Sequence, residues 1–190
     1  AANSFETLGR LSSSYLQRRH CMNRRIAILL FTLTILVSCS DYNPLLGVSD
    51  HVLQKVPSIA EKYLGMTYEW GGQSFWDEEN GSVDCSGFVI NVYKEACMNS
   101  GVHLPYDDTT SSELYNKYTI KINSPLPGDL IFMGDDGIVS HVAIFRCFMG
   151  DDIEFIDAYS VDGYVKIRRY RRDNDKIISF GRMKVVKGNE

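Results

Sequence analysis

The hydrophobic positions of the chain follow a helical period before Pro125 and a strand period after it. Ser49 can cap a helix, and Val52, Val56, Ile59, Ala60, Tyr63 and Leu64 then recur at i, i+3 or i+4 until Gly65. That stripe predicts a helix of up to about four turns, with either a kink at Pro57 or a later start near Val56. Residues 68–84 read as loop, with a polar run from Asp77 to Gly81. A second stripe (Phe88, Val89, Val92, Tyr93, Ala96, Cys97) predicts a helix from Cys85 to about Asn99. Residues 101–108 are turn-rich, and 110–118 suggest a third, short helix. Beyond the turn chemistry of Pro125-Leu126-Pro127-Gly128, residues 129–133, 140–147, 153–159, 164–170 and 177–186 read as strands separated by turns. Helices followed by a meander predict one α+β domain, its N-terminal helices packed on an antiparallel sheet of about five to six strands.

Composition narrows the class. With 190 residues, of which 44% are hydrophobic and 12% aromatic, the chain is globular and has room for one domain. A net charge of −4 argues against a nucleic-acid surface. The basic stretch Lys166, Arg168, Arg169, Arg171, Arg172 reads as a solvated strand end, with an anion-binding patch as the alternative.

The start of the chain bears on location. Met22-Asn23-Arg24-Arg25 is a basic opening, and residues 26–37 are apolar or hydroxyl throughout, too short a run for the ~20 apolar residues of a membrane span. Leu36-Val37-Ser38-Cys39 follows and resembles a bacterial lipobox, in which Cys39 is acylated and becomes the new N-terminus. The expected organisation is therefore upstream sequence outside the fold (1–21), a lipoprotein signal peptide (22–38), a lipidated tether (39–49) and a folded domain (50–190). The protein is expected to be exported and held by lipid on a membrane facing the cell wall, as a monomer. Of five cysteines, Cys21 precedes Met22 and Cys39 takes lipid, leaving Cys85, Cys97 and Cys147. No C-x-x-C spacing exists, which makes a zinc site improbable. Cys97 and Cys147 are either a disulfide or two buried thiols.

The candidate chemistry begins at Val83-Asp84-Cys85-Ser86-Gly87-Phe88-Val89. A cysteine in the first turn of a helix meets unpaired N–H groups and the positive end of the helix dipole, which favour thiolate over thiol. A buried structural thiol is the competing reading. His141 starts a strand in Ser140-His141-Val142-Ala143-Ile144, and the following hairpin is expected to turn near Met149. That register sets residue 157 opposite residue 141, so Asp157 would share a face with His141 at about 5 Å between Cβ atoms; a slip of one residue would send it to the other face. A thiol, an imidazole and a carboxylate that orients it are the set needed for attack on an acyl carbon. His51 and His103 lie in less ordered or exposed contexts.

Taken together, Tyr68-x-Trp70-Gly71-Gly72, Asp84-Cys85-Ser86-Gly87-Phe88-Val89, Leu104-Pro105, Pro127-Gly128-Asp129-Leu130-Ile131-Phe132 and Ser140-His141-Val142-Ala143-Ile144 resemble the NlpC family of bacterial cell-wall cysteine peptidases, from about residue 51 to about 186. The resemblance implies a papain-like α+β fold and hydrolysis of peptidoglycan stem peptides, typically between γ-D-glutamate and a diamino acid such as meso-diaminopimelate. It implies Cys85 as nucleophile, His141 as base and Asp157 at a third polar position that is often a second histidine in relatives. Tyr68 matches a tyrosine near the oxyanion and substrate amine, and Asp84 and Ser86 match neighbours that bind a terminal amine in some members. No metal or organic cofactor is implied. The stretch 73–83, with Trp76, Asp77, Glu78 and Glu79, is longer than in compact members and either reshapes the groove or is a surface insertion. An amidase or acyl transferase using the same dyad, or a wall-binding module without catalysis, are the competing functions.

Overall fold

The computed structural model describes residues 44–75 and 81–188. Its frame is an antiparallel meander whose five long strands are β6 (Leu130–Asp135), β7 (Ile138–Met149), β8 (Asp152–Tyr159), β9 (Tyr164–Arg171) and β10 (Ile177–Lys187). Five shorter strands complete the sheet: β1 (Leu46–Gly47), β2 (Thr67–Tyr68), β3 (Ser82–Val83), β4 (Val102–His103) and β5 (Thr119–Ile122). Their order is β1-β10-β6-β7-β8-β9-β2-β3, with β4 and β5 also paired to β10. All neighbours are antiparallel except β2 and β3. The sheet is thus wider than the five or six strands expected, because pieces of two to four residues are too short to display a period of two. β1 also takes up residues assigned to the tether, since Leu46 pairs with Val185 and Val48 is buried.

The helices among the described residues are α1 (Asp50–Leu53), α2 (Val56–Glu61), α3 (Cys85–Cys97) and α4 (Ser111–Lys117). Of the two readings of the first stripe, the later start near Val56 is the one observed, with a separate turn of helix before it. Pro57 in a continuous helix would strike the carbonyl of Leu53, four residues back. The chain breaks instead, and Pro57 sits in the first turn of α2, where its missing N–H costs nothing. Asp84 caps α3, its Oδ1 accepting the Gly87 N–H at 2.7 Å, and Thr110 caps α4 through the Glu113 N–H at 3.2 Å. The helix ends at Cys97, slightly before the expected Asn99, which has a positive φ of 59°.

α3 is buried on nearly every side. Phe88, Val89, Val92, Tyr93 and Ala96 pack with Leu130, Phe132, Val142, Ile144, Ile156 and Ala158 of the sheet. The alternate residues Ile131, Met133, Ala143, Phe145 and Phe155 form a smaller cluster with Tyr170, Ile177 and Phe180. Truncating one fully buried aromatic in such a core costs roughly 3–5 kcal/mol. The sheet therefore holds the N-terminus of α3 in a fixed place.

Candidate active site

Cys85 is the first residue of α3, and the loop before it is drawn over the helix start by close backbone contacts. The Asp84 N–H donates to the Gly72 carbonyl at 2.9 Å, and a Cβ on Gly87 would run into that same carbonyl oxygen. A Cβ on Gly72 would lie 2.9 Å from the Ser82 backbone. Tyr68-x-Trp70-Gly71-Gly72 and Ser86-Gly87 are therefore one packed unit, in which glycine is required because backbone touches backbone. Asp84 serves this unit with both oxygens. Oδ1 takes the Gly87 N–H and the Ser86 hydroxyl, at 2.7 and 2.9 Å, and Oδ2 faces the Gly71 N–H at 3.3 Å.

His141 lies inside β7 between two irregularities. Met133 pairs with His141 but Gly134 pairs with Val139, so Ser140 is an extra residue; on the β8 side Phe145 pairs with Phe155 but Cys147 pairs with Glu154, so Arg146 is another. The hairpin turns after Met149, which pairs with Asp152, and not about Met149 as the sequence suggested. That register alone would have put Asp157 on the wrong face. The Arg146 bulge restores the parity, and continuing from Ile144 opposite Ile156 sets His141 opposite Tyr159, with Asp157 on the diagonal. The His141 and Tyr159 rings are 5.0 Å apart, and His141 Nε2 meets Asp157 Oδ2 at 2.6 Å.

The Asp157 side chain is 2% exposed and that of His141 14%. Burial works against a charged imidazole, but hydrogen bonds to Asp157 and to the Cys85 sulfur, with the negative charges of both, outweigh it and raise its pKa to about 9. With Nε2 on the carboxylate, Nδ1 is the nitrogen left for the sulfur. Arg168 is the member of this group that the sequence reading did not find. It does not belong to a solvated strand end: its side chain is 11% exposed, and Nε donates to Asp157 Oδ1 at 2.7 Å. Its signal lay in the alternation of β9, where Lys166, Arg168 and Tyr170 share one face while Arg169 and Arg171 take the other.

Cys85, His141, Tyr159, Tyr68 and Trp70 line a cavity of about 280 Å³, closed on another side by Asp135 and Lys176, which pair with each other. Trp70 is 88% exposed at its rim. Burial chiefly, then the charges of Cys85 and Asp84, push the Tyr68 hydroxyl up, so it remains a donor. The structure thus brings together Cys85, His141, Asp157 and Tyr68. Asp84 and Ser86 are not in the cavity lining; they hold the helix start. His51 and His103 lie on α1 and β4, away from this cavity. Cys97 is a buried free thiol raised to about 11 by burial, and Cys147 is free as well. Among the described residues no group of three His, Cys, Asp or Glu side chains is placed to hold a metal ion. Cys39 and the residues from Trp76 to Glu79 lie outside the described residues.

The model of the NlpC/P60 family matches residues 65–177, more than half of the chain. The probable endopeptidase p60 of Listeria innocua is 35% identical over 88 residues, covering 45% of this chain and 16% of that protein. Protein P54 of Enterococcus faecium is 32% identical over 87 residues, covering 45% of this chain and 14% of that protein. The chain therefore spans only a small part of the length of these curated relatives. A Staphylococcus aureus structure described as similar to lipoprotein, NLP/P60 family, superposes with a TM-score of 0.51 at 28% identity, covering 76% of this chain and 45% of that one. An NlpC structure from Trichomonas vaginalis shares the fold at 18% identity, with a TM-score of 0.53 over 77% of this chain and 48% of that one. On the match of its family model over more than half of its length, the chain belongs to the NlpC/P60 family.

Proposed function

We propose that the protein is a cell-wall cysteine peptidase that hydrolyses peptidoglycan stem peptides at the bond between γ-D-glutamate and a diamino acid such as meso-diaminopimelate. The observation that carries this reading is one imidazole held between the Cys85 thiol and the buried Asp157 carboxylate in the wall of an open cavity. The Cys85 thiolate attacks the γ-glutamyl carbonyl carbon, forming the C–S bond and an oxyanion. The carbon–nitrogen bond then breaks, and the leaving amine takes the proton from His141. Water attacks the thioester, His141 accepts its proton, and the carboxylic acid leaves Cys85 free again. Donors for the oxyanion are the Cys85 backbone N–H, at the helix start, and the Tyr68 hydroxyl. Asp157 fixes the imidazole and stabilises its charge. Asp84 and Ser86 support the wall that would meet a substrate amine.

The test uses L-Ala-γ-D-Glu-meso-diaminopimelate peptides, free and acetylated at the N-terminus, with products read by mass spectrometry beside Cys85→Ala. Cleavage after γ-D-Glu that vanishes in the variant is the expected result. Cleavage elsewhere would point to an amidase or transferase, and no cleavage of peptides or of intact sacculi, with Cys85 inert to an alkylating agent, to a binding module.

Residues 1–21 are upstream sequence and 22–38 a lipoprotein signal on this reading. Cys39 carries the lipid that holds residues 50–190, on their tether, against the wall as an exported monomer. The Staphylococcus aureus relative described as similar to lipoprotein supports that location. Among the described residues no helix is long and apolar enough to cross a membrane. Incorporation of labelled palmitate that persists in Cys39→Ser would sink the anchor.

A further inference from the structure

The Asp157 carboxylate is shared. Oδ2 takes His141, while Oδ1 takes Nε of Arg168, which arrives from the next strand. Among the described residues nothing else is seen to hold that second oxygen, and a carboxylate this deeply buried is costly without a cationic partner. Arg168 is itself fixed at two further points. Nη1 is paired with Asp162 in the β8–β9 connection, the guanidinium carbon lies 4.5 Å from the centroid of the Tyr159 ring, and Tyr159 packs in turn on His141. Its remaining nitrogen, Nη2, is buried with no hydrogen-bond partner. A guanidinium that accepts such a site, with one donor unsatisfied, is held there by its other contacts.

We propose that Arg168 is a positioning residue that holds Asp157 turned toward His141, so that a chain of four side chains, Arg168–Asp157–His141–Cys85, sets the charge on the imidazole. The inference rests on the peptidase reading for its catalytic consequence but not for its physical one. Other charged or titratable groups also face this chain. Tyr68 approaches from β2, the Cys85 thiol from α3 and Tyr170 from β9, while Asp135 and Lys176 line the cavity as a pair. Lys166 is spent on Asp162 at 2.5 Å. Among the described residues, only Arg168 is seen to hold the Asp157 oxygen turned away from the imidazole. Without it, the buried carboxylate loses the partner that orients it and turns away, and the imidazolium loses its anion. The pKa of His141 then falls toward that of a free imidazole.

The experiment is an NMR titration of the imidazole C–H signals of the full chain, with His141 assigned by its loss in His141→Gln. In the wild type His141 is expected to titrate near 9. In Arg168→Gln the inflection is expected to fall by about one pH unit or more, and in Arg168→Lys, which restores charge but not the planar fork, to lie between the two. Should Arg168→Gln fail to fold, Arg168→Lys decides alone. An inflection unmoved or raised in the folded variants would overturn the proposal, since a structural ion pair or a mere neighbouring positive charge cannot lower it through Asp157. Kinetics add the catalytic side: kcat is expected to drop about tenfold or more in Arg168→Gln, with KM little changed. If the wild type cleaves no stem peptide, the peptidase reading falls while the titration still judges Arg168.

Discussion

His141 is gripped at Nε2 by the Asp157 carboxylate, while the Cys85 sulfur bears on its charge. Asp157 fixes tautomer and orientation, so Asp157→Asn, which keeps the shape but reverses the hydrogen-bond demand, is expected to lower kcat by about 10²–10⁴-fold with little change in KM. Steady-state kinetics on a stem peptide check this, and a fall in kcat/KM carried mainly by KM would mean that Asp157 serves binding instead. The raised imidazole also links to stability. A histidine whose folded pKa is about 9, against an ordinary value of 6.5, binds its proton more tightly when folded. Its contribution is complete below pH 6.5 and is lost as pH rises through 9, by ~1–3 kcal/mol. Denaturant titrations at pH 6 and pH 9.5 are expected to show that loss in the wild type and not in His141→Gln; equal losses in both would assign it to other groups.

At the scale of elements, the site depends on how the loop before α3 is folded onto the helix start. Gly87→Ala is the sharpest probe, because the new Cβ meets the Gly72 carbonyl oxygen, which is backbone and cannot step aside. The change is expected to cost about 2 kcal/mol or more, within the range for forced overpacking, and to abolish activity even where the fold survives, since Cys85 moves with the helix. Asp84→Ala, read by thermal melting, is expected to cost at least the ~1 kcal/mol of a lost N-cap, and more because the Ser86 hydroxyl and the Gly71 N–H lose their acceptor too. Much of this was legible in the sequence. The apolar stripe from Phe88 to Cys97 announces the helix that Cys85 begins, and the five long strands alternate clearly enough to be found within about two residues of their ends. The bulges were not legible. Ser140 and Arg146 are ordinary strand residues whose extra place shows only once both partners are known, and Arg146 decides whether His141 and Asp157 share a face. Arg168 was hidden for the same reason. Its place beside Asp157 depends on cross-strand register, while its sequence neighbours, Arg169 and Arg171, face the other way.

Across the whole molecule, one buried ion pair joins the segments that frame the site. Asp129 is fully buried; its two oxygens take Nε and Nη2 of Arg182, on β10, at 3.0 Å each, and Oδ2 also takes the Leu126 N–H at 2.8 Å. Arg182 reaches on to Asp50, at the start of α1, at 3.4 Å. The same turn presents the Gly128 carbonyl to the Tyr93 hydroxyl of α3 at 2.6 Å, and a Cβ on Gly128 would lie 2.5 Å from the Leu53 carbonyl oxygen. First helix, central helix, turn and last strand therefore meet at one point. A pair so placed contributes less net stability than its geometry suggests, because both charges were taken out of water, but breaking it from one side strands the other. Arg182→Met is expected to cost about 3–5 kcal/mol in urea unfolding, since it leaves the Asp129 carboxylate buried and unpaired. The double variant Asp129→Leu with Arg182→Met is expected to lose clearly less than the sum of the two single variants, because the second change removes the stranded charge. Strictly additive losses would show that the two side chains stabilise the fold separately, and that the joint between helix and last strand is made by packing alone.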